Sequence, residues 1–169
     1  KCTFIPFKVN YWEKLSPEDR YSEVEEYIFT AGRSYRDFPT FIEAMRRVDY
    51  PGLLLYEEAA LLKRSATDVD LSNLPANLTA AKNEGEQSWV DYIRRAKIVV
   101  VPLLPSTMYA PGLSLYLMAM AMKKCVIVTE GLATRGMLRE EAIIVAPKDP
   151  EALATAIARV WSDDKSCHA

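Results

Sequence analysis

Residues 98–101 read Ile-Val-Val-Val, and residues 125–129 read Cys-Val-Ile-Val-Thr. Between them lie a loop at 102–111 that contains three prolines and a Leu- and Met-rich stretch at 113–122. A run of β-branched residues is apolar on whichever face it points to, so it suits a strand covered on both sides. Two such strands joined by a helix-length segment predict a parallel β–α–β unit.

The same rhythm extends in both directions. Residues 27–31 (YIFTA) and 52–56 (GLLLY) read as strands. Between them Asp37 offers an N-cap and Pro39 stands in the first turn. Phe41, Ile42, Met45 and Val48 follow at helical spacing. Residues 57–65 fit either an extension of the strand or a short helix, and 77–80 fit a short strand. Residues 86–96 predict a helix with Trp89, Tyr92, Ile93 and Ala96 on one face. Residues 134–140 predict a short helix and 142–146 (AIIVA) a strand. Asp149 begins a last helix carrying Leu153, Ile157, Val160 and Trp161. The fold class is therefore α/β: a single Rossmann-like, doubly wound domain with about six parallel strands and helices on both faces. Residues 1–25 read as a lead-in or linker segment with one short strand, 26–162 as the domain, and 163–169 as a flexible tail.

Composition narrows the function classes. The 169 residues carry 21 basic and 23 acidic side chains, with a pI near 5.6, so a dedicated nucleic-acid binder is disfavoured. No apolar run reaches the ~18 residues of a membrane helix, and no signal peptide is visible. Cys2, Cys125 and Cys167 are an odd number with no CxxC pair, which fits neither a disulfide framework nor a zinc site. A cytoplasmic location is the expectation. The single histidine, His168, lies beside the C-terminus, leaving almost no raw material for His-dependent catalysis.

In an open parallel sheet, ligands bind beyond the carboxyl ends of the strands, where strand order reverses. Two loops there draw attention. The first is GRSYRD, residues 32–37. Gly32 permits a tight turn, and Arg33 and Arg36 carry guanidinium groups suited to bidentate phosphate recognition. They read equally well as surface arginines, or as an Arg36–Asp37 pair. The second runs from Ser106 to Ser114. Gly112 permits close backbone approach, and the amides of Leu113 and Ser114 stand at a helix start, an anion site in waiting or a plain cap. A helix-end field contributes only about 0.3–1 kcal/mol, so an arginine partner would be needed. Neither GxGxxG after the first strand nor GxxxxGK[ST] is present, which disfavours dinucleotide-binding and P-loop sites.

Four segments resemble the C-terminal, donor-binding domain of glycosyltransferases of the B-type fold, in their retaining, group-1-like family. They are FIPFKVN near the start, YIFTAGRSYRDFPTFIEAM, APGLSLYLMAMAMKKCVIVT, and IIVAPKDPEALATAIARVWSD. Together they span nearly the whole chain, most weakly over 57–85. The resemblance implies a nucleoside-diphosphate sugar as substrate and no separate cofactor; no ligand cluster in the sequence suggests a metal. Arg33 and Arg36 would face the diphosphate, with Gly32 and Ser106 beside them. Gly112, Leu113 and Ser114 would cradle the distal phosphate. Catalytic groups would belong to an N-terminal half outside this chain, and the fragment alone would turn over little. The acceptor could be membrane-embedded or a polysaccharide, with the full protein peripheral to a membrane.

Three departures stand out, the first being that the earlier acidic residue of the family's paired-glutamate motif falls near Ala110. The family's ribose-gripping glutamate falls at Met118, and a glycine of the same block falls at Lys123. A charge-assisted hydrogen bond to ribose is worth roughly 1.5–3 kcal/mol, so its loss weakens binding about ten- to a hundredfold. A degenerate, non-catalytic binding or assembly module is therefore the alternative reading. Core packing accounts equally well for Met118, and Lys123 and Lys124 are expected to be solvated at a helix end.

Overall fold

A computed structural model of the chain describes Val9 and residues 25–58, 66–105, 110–132 and 134–163. In chain order the elements are β1 (Ile28–Ala31), α1 (Phe38–Met45), β2 (Gly52–Tyr56), β3 (Leu78–Lys82), α2 (Glu86–Arg95), β4 (Ile98–Val101), α3 (Leu113–Ala121), β5 (Cys125–Thr129), β6 (Ile143–Val145) and α4 (Pro150–Ser162). The six strands form one sheet in the order β3-β2-β1-β4-β5-β6, every pair parallel.

Apolar strands explain the two-sided core. Ile28, Ile98, Val100, Cys125 and Ile127 pack on one face against α1 and α4. Their neighbours Phe29, Val99, Val101, Val126 and Val128 pack on the other against α2 and α3. The chain steps from β1 to β2 in one direction and from β4 to β5 in the other. Right-handed crossovers then require α1 and α3 to lie on opposite faces. The reversal between β1 and β4 leaves a crevice at their carboxyl ends.

The caps also follow the sequence. Asp37 accepts from the Thr40 amide at 3.3 Å and Asp149 from the Ala152 amide at 2.8 Å, each with a proline in the first turn of its helix. Three expectations differ in detail. Residues 134–140 form turns rather than a helix. The Gly131 carbonyl accepts from the Thr134 and Arg135 amides, and Gly136 takes φ 72°, which ends any helical path. The strand of 77–80 begins one residue later and continues to Lys82. Of the ambiguous 57–65, residues 57–58 lie outside any strand or helix, and 59–65 lie outside the described residues. Most of the lead-in, and the tail with Cys167 and His168, lie outside them too. Among the described residues no helix is long and apolar enough to cross a membrane, and no acid, His and Cys group could hold a metal ion.

Helix α3 ends in a Schellman turn. The Lys124 amide donates to Ala119 O at 2.9 Å and the Lys123 amide to Met120 O at 2.9 Å. Lys123 occupies the left-handed position of that turn, with φ 56°. This is where the resemblance places glycine. Lys123 is exposed as expected, but Lys124 is half-buried: the turn folds it back into the protein near Arg94. Burial first, and Arg94 second, push its ammonium down to about 8. A left-handed non-glycine residue costs about 1–2 kcal/mol, and glycine's extra freedom in the unfolded chain returns about 0.5–1 of it. Lys123→Gly is therefore expected to stabilise the domain by up to about 1 kcal/mol. Urea unfolding would show this as a higher midpoint at unchanged slope, and a lower midpoint would contradict it.

Candidate functional site

The loop between β1 and α1 is built around a buried cation. Arg36 is 6% exposed. Its Nε donates to Ala31 O at 2.9 Å and its Nη1 to Ser34 O at 2.8 Å, so the loop wraps its own guanidinium. Gly32 lies against it with φ 123°. A Cβ there would fall 2.4 Å from both Nε and Nη2, which is why no side chain fits. Among the described residues no carboxylate pairs with Arg36, and Asp37 caps α1 instead. Burial lowers the guanidinium to about 10, which leaves it charged at neutral pH. Arg33, by contrast, is exposed at the loop's outer edge.

Backbone hydrogen bonds stitch this loop to the one after β4. The Leu104 amide donates to Tyr35 O at 2.9 Å and the Asp37 amide to Pro102 O at 3.1 Å. Buried Thr129, at the end of β5, accepts from the Leu103 amide at 2.7 Å. A third tie comes from Thr67, also buried. Its hydroxyl donates to Arg33 O at 2.6 Å and accepts from the Arg36 amide at 3.0 Å. The two bonds straddle Tyr35, which is held at φ 53°. Across the crevice Gly112 opens α3 at φ 92°. A Cβ there would fall 2.9 Å from Val101 Cγ1, so glycine lets the helix start against the end of β4. Its N-cap residue, Gly112, contributes no side-chain hydrogen bond to the first turn.

One cavity of about 630 Å³ spans both loops. Gly32, Arg33, Arg36, Gly112, Leu113 and Ser114 all line it. Ser106, the remaining loop candidate, lies outside the described residues, as does Tyr109. Met118 is not brought to the cavity. It is fully buried on the α2–α3 face of the core, so its side chain serves packing.

Among the lining residues that escaped the sequence reading, three bring polar or aromatic side chains: Glu57 just past β2, Asn83 just past β3, and Trp89 on α2. Asn83 Nδ2 donates to Glu57 Oε1 at 2.7 Å, while Asn83 Oδ1 accepts from the Gly85 amide at 3.2 Å. An acidic residue directly after a strand was the available signal for Glu57. Thr67 had none, because its partners are more than thirty positions away in the chain.

The profile of the family described as "Glycosyl transferases group 1" matches residues 25–163. No curated protein matches the chain in sequence. Among solved structures, the catalytic domain of cholesterol-alpha-glucosyltransferase from Helicobacter pylori aligns with TM-score 0.56 at 10% identity, over 83% of this chain and 89% of that one. Trehalose-6-phosphate synthase aligns with TM-score 0.56 at 13% identity, over 79% of this chain and 36% of that one. The glycosyltransferase GlyE of Streptococcus pneumoniae TIGR4 aligns with TM-score 0.54 at 12% identity, over 83% and 33%. At such identities the likeness is one of fold, and the chain spans about a third of the length of the latter two. The profile match, however, runs from just before β1 to the end of α4 and takes in every element that lines the cavity. On that ground the chain belongs to the group 1 glycosyl transferases.

Proposed function

We propose that this chain is the donor-binding half of a glycosyltransferase, and that its cavity takes a nucleoside-diphosphate sugar. The observation that carries the reading is the shared cavity: a buried and an exposed arginine on one loop, and a glycine-opened helix start on the other, line the same hollow. A buried guanidinium that pairs with no carboxylate among the described residues, beside an open hollow, favours an anion there. Diphosphate fills it. Arg33 reaches the phosphates from the rim. Arg36 shapes the loop with two of its N–H groups and lends its charge from below. The first turn of α3 adds its dipole at the distal phosphate.

In the reaction, the bond between the sugar's anomeric carbon and the distal phosphate oxygen breaks, and the diphosphate leaves with that electron pair. Charge grows on the phosphate as the bond opens. Cations and dipoles already fixed around it stabilise that moment more than the ground state. Groups that position the acceptor belong to a second domain in this reading, so the isolated chain binds donor and transfers little. The alternative, a degenerate binding or assembly module, draws its support from Met118, whose core position leaves the family's ribose contact unmade from α3.

Calorimetric titration with UDP and GDP separates the two. Arg33→Ala and Arg36→Ala are each expected to weaken binding about tenfold or more, as charged hydrogen bonds do. Absence of binding at millimolar ligand would favour the degenerate module. Thr67→Val removes both loop ties and is expected to weaken the same binding about three- to tenfold, while Thr67→Ser restores it. Equal loss in both variants would deny the hydroxyl its positioning role. The titration should also report pH. Burial depresses Arg36 to about 10, so it is protonated below that value and loses its charge above it. Affinity is expected to stay flat between about pH 7 and about pH 9, and to fall as pH rises through about 10. A fall centred near pH 8 would assign the titrating cation elsewhere.

A further inference from the structure

We infer that Glu57 grips the ribose hydroxyls of the bound nucleotide, replacing from β2 the carboxylate that α3 lacks. The inference rests on the donor-binding reading of the cavity. It begins from a mismatch. The block containing α3 carries Met118 where the resemblance expects a ribose-binding glutamate, and Met118 is sealed in the core. Yet a carboxylate does line the cavity, delivered by a different strand.

Register fixes its place. Ala31 on β1 pairs with Leu55 on β2. Two residues further along each strand come Arg33 and Glu57, both lining the cavity. Adjacent strands lie about 4.8 Å apart, so the carboxylate emerges one strand over from the phosphate-facing loop. A nucleotide spans that separation: its 5′ oxygen joins the phosphate, and its 2′,3′ diol lies across the sugar ring. In dinucleotide-binding folds an acidic side chain past the second strand, about 20 residues beyond a glycine-rich turn, serves that diol; this chain lacks that turn, but Glu57 likewise stands just past β2.

The carboxylate is also prepared for the task. Asn83, itself oriented by the Gly85 amide, donates to Glu57 Oε1 at 2.7 Å. Among the described residues no cation pairs with Glu57. Lys82, its near neighbour, pairs with Glu58 at 3.0 Å instead. A half-buried carboxylate held by one amide retains acceptor capacity for two hydroxyl donors. The two phosphates of a nucleoside-diphosphate sugar are both diesters, carry no O–H donor, and would be repelled at that end. The cavity thus has a cationic end and an acceptor end, in the order that a nucleoside diphosphate presents them.

The test uses UDP, GDP, their 2′,3′-dideoxy counterparts and inorganic pyrophosphate, titrated calorimetrically in the presence of a chelator. The unaltered chain is expected to bind the ribose forms about ten- to a hundredfold more tightly than the dideoxy forms. In Glu57→Gln, which keeps the shape and removes the charge, that gap is expected to shrink several-fold. In Glu57→Ala it should close. Pyrophosphate affinity should be unchanged in both variants. A gap that survives in Glu57→Ala, or no gap in the unaltered chain, overturns the inference while leaving the diphosphate site standing. If neither nucleotides nor pyrophosphate bind at all, the donor-binding reading falls and the inference with it.

Discussion

A guanidinium buried against a glycine holds the rim of this sheet in shape. Arg36 lies inside its own loop, bonded to Ala31 O and Ser34 O, and Gly32 is the residue that lets it fit. Removing a charge from water costs several kcal/mol even after the surroundings relax. Two carbonyls offset part of that cost, and no carboxylate among the described residues offsets the rest. The remaining imbalance faces the cavity. A fold that tolerates it must recover the difference elsewhere, and the extensive two-sided core is where that stabilisation lies.

The same economy explains why the two loops are tied by backbone rather than by side chains. Tyr35 O and the Leu104 amide, and the Asp37 amide and Pro102 O, form a short antiparallel seam between chain segments that leave the sheet side by side. Backbone bonds fix the separation of the arginine loop from the helix start without spending rotamer entropy on it. Thr67 and Thr129 add hydroxyls at either side of the seam. A site assembled in advance in this way loses less on binding than one that must order its loops around the ligand.

Much of this was legible in the chain, and the reason is local. Runs such as Ile98–Val101 and Cys125–Thr129 state their burial on both faces, and Asp37 and Asp149 state where helices begin. Six strands in a known crossover sense then place the crevice, and with it Gly32, Arg33 and Gly112. What stayed hidden depends on partners far along the chain. Lys124 reads as a solvated helix-end lysine until the Schellman turn folds it back near Arg94. Residues 134–140 have helical composition, yet Gly136 and the Gly131 carbonyl settle them as turns. Thr67 looks like any loop threonine, and Asn83 like any turn asparagine, until the sheet brings Arg33 and Glu57 beside them.

In the proposed reading, Glu57, held by Asn83, takes over a function from another element of the fold. Adjacent strands end together at the same rim, so a carboxylate lost from a helix above the crevice has nearby positions from which it can be resupplied. The requirement is electrostatic order, cation then acceptor, rather than a particular residue number. Met118 serves packing, where a methionine fills space at little cost, and in the proposed reading the polar work falls to a carboxylate one strand from the arginines. A helix in this position can then be read for its backbone start, which Gly112 opens, independently of the side chains further along it.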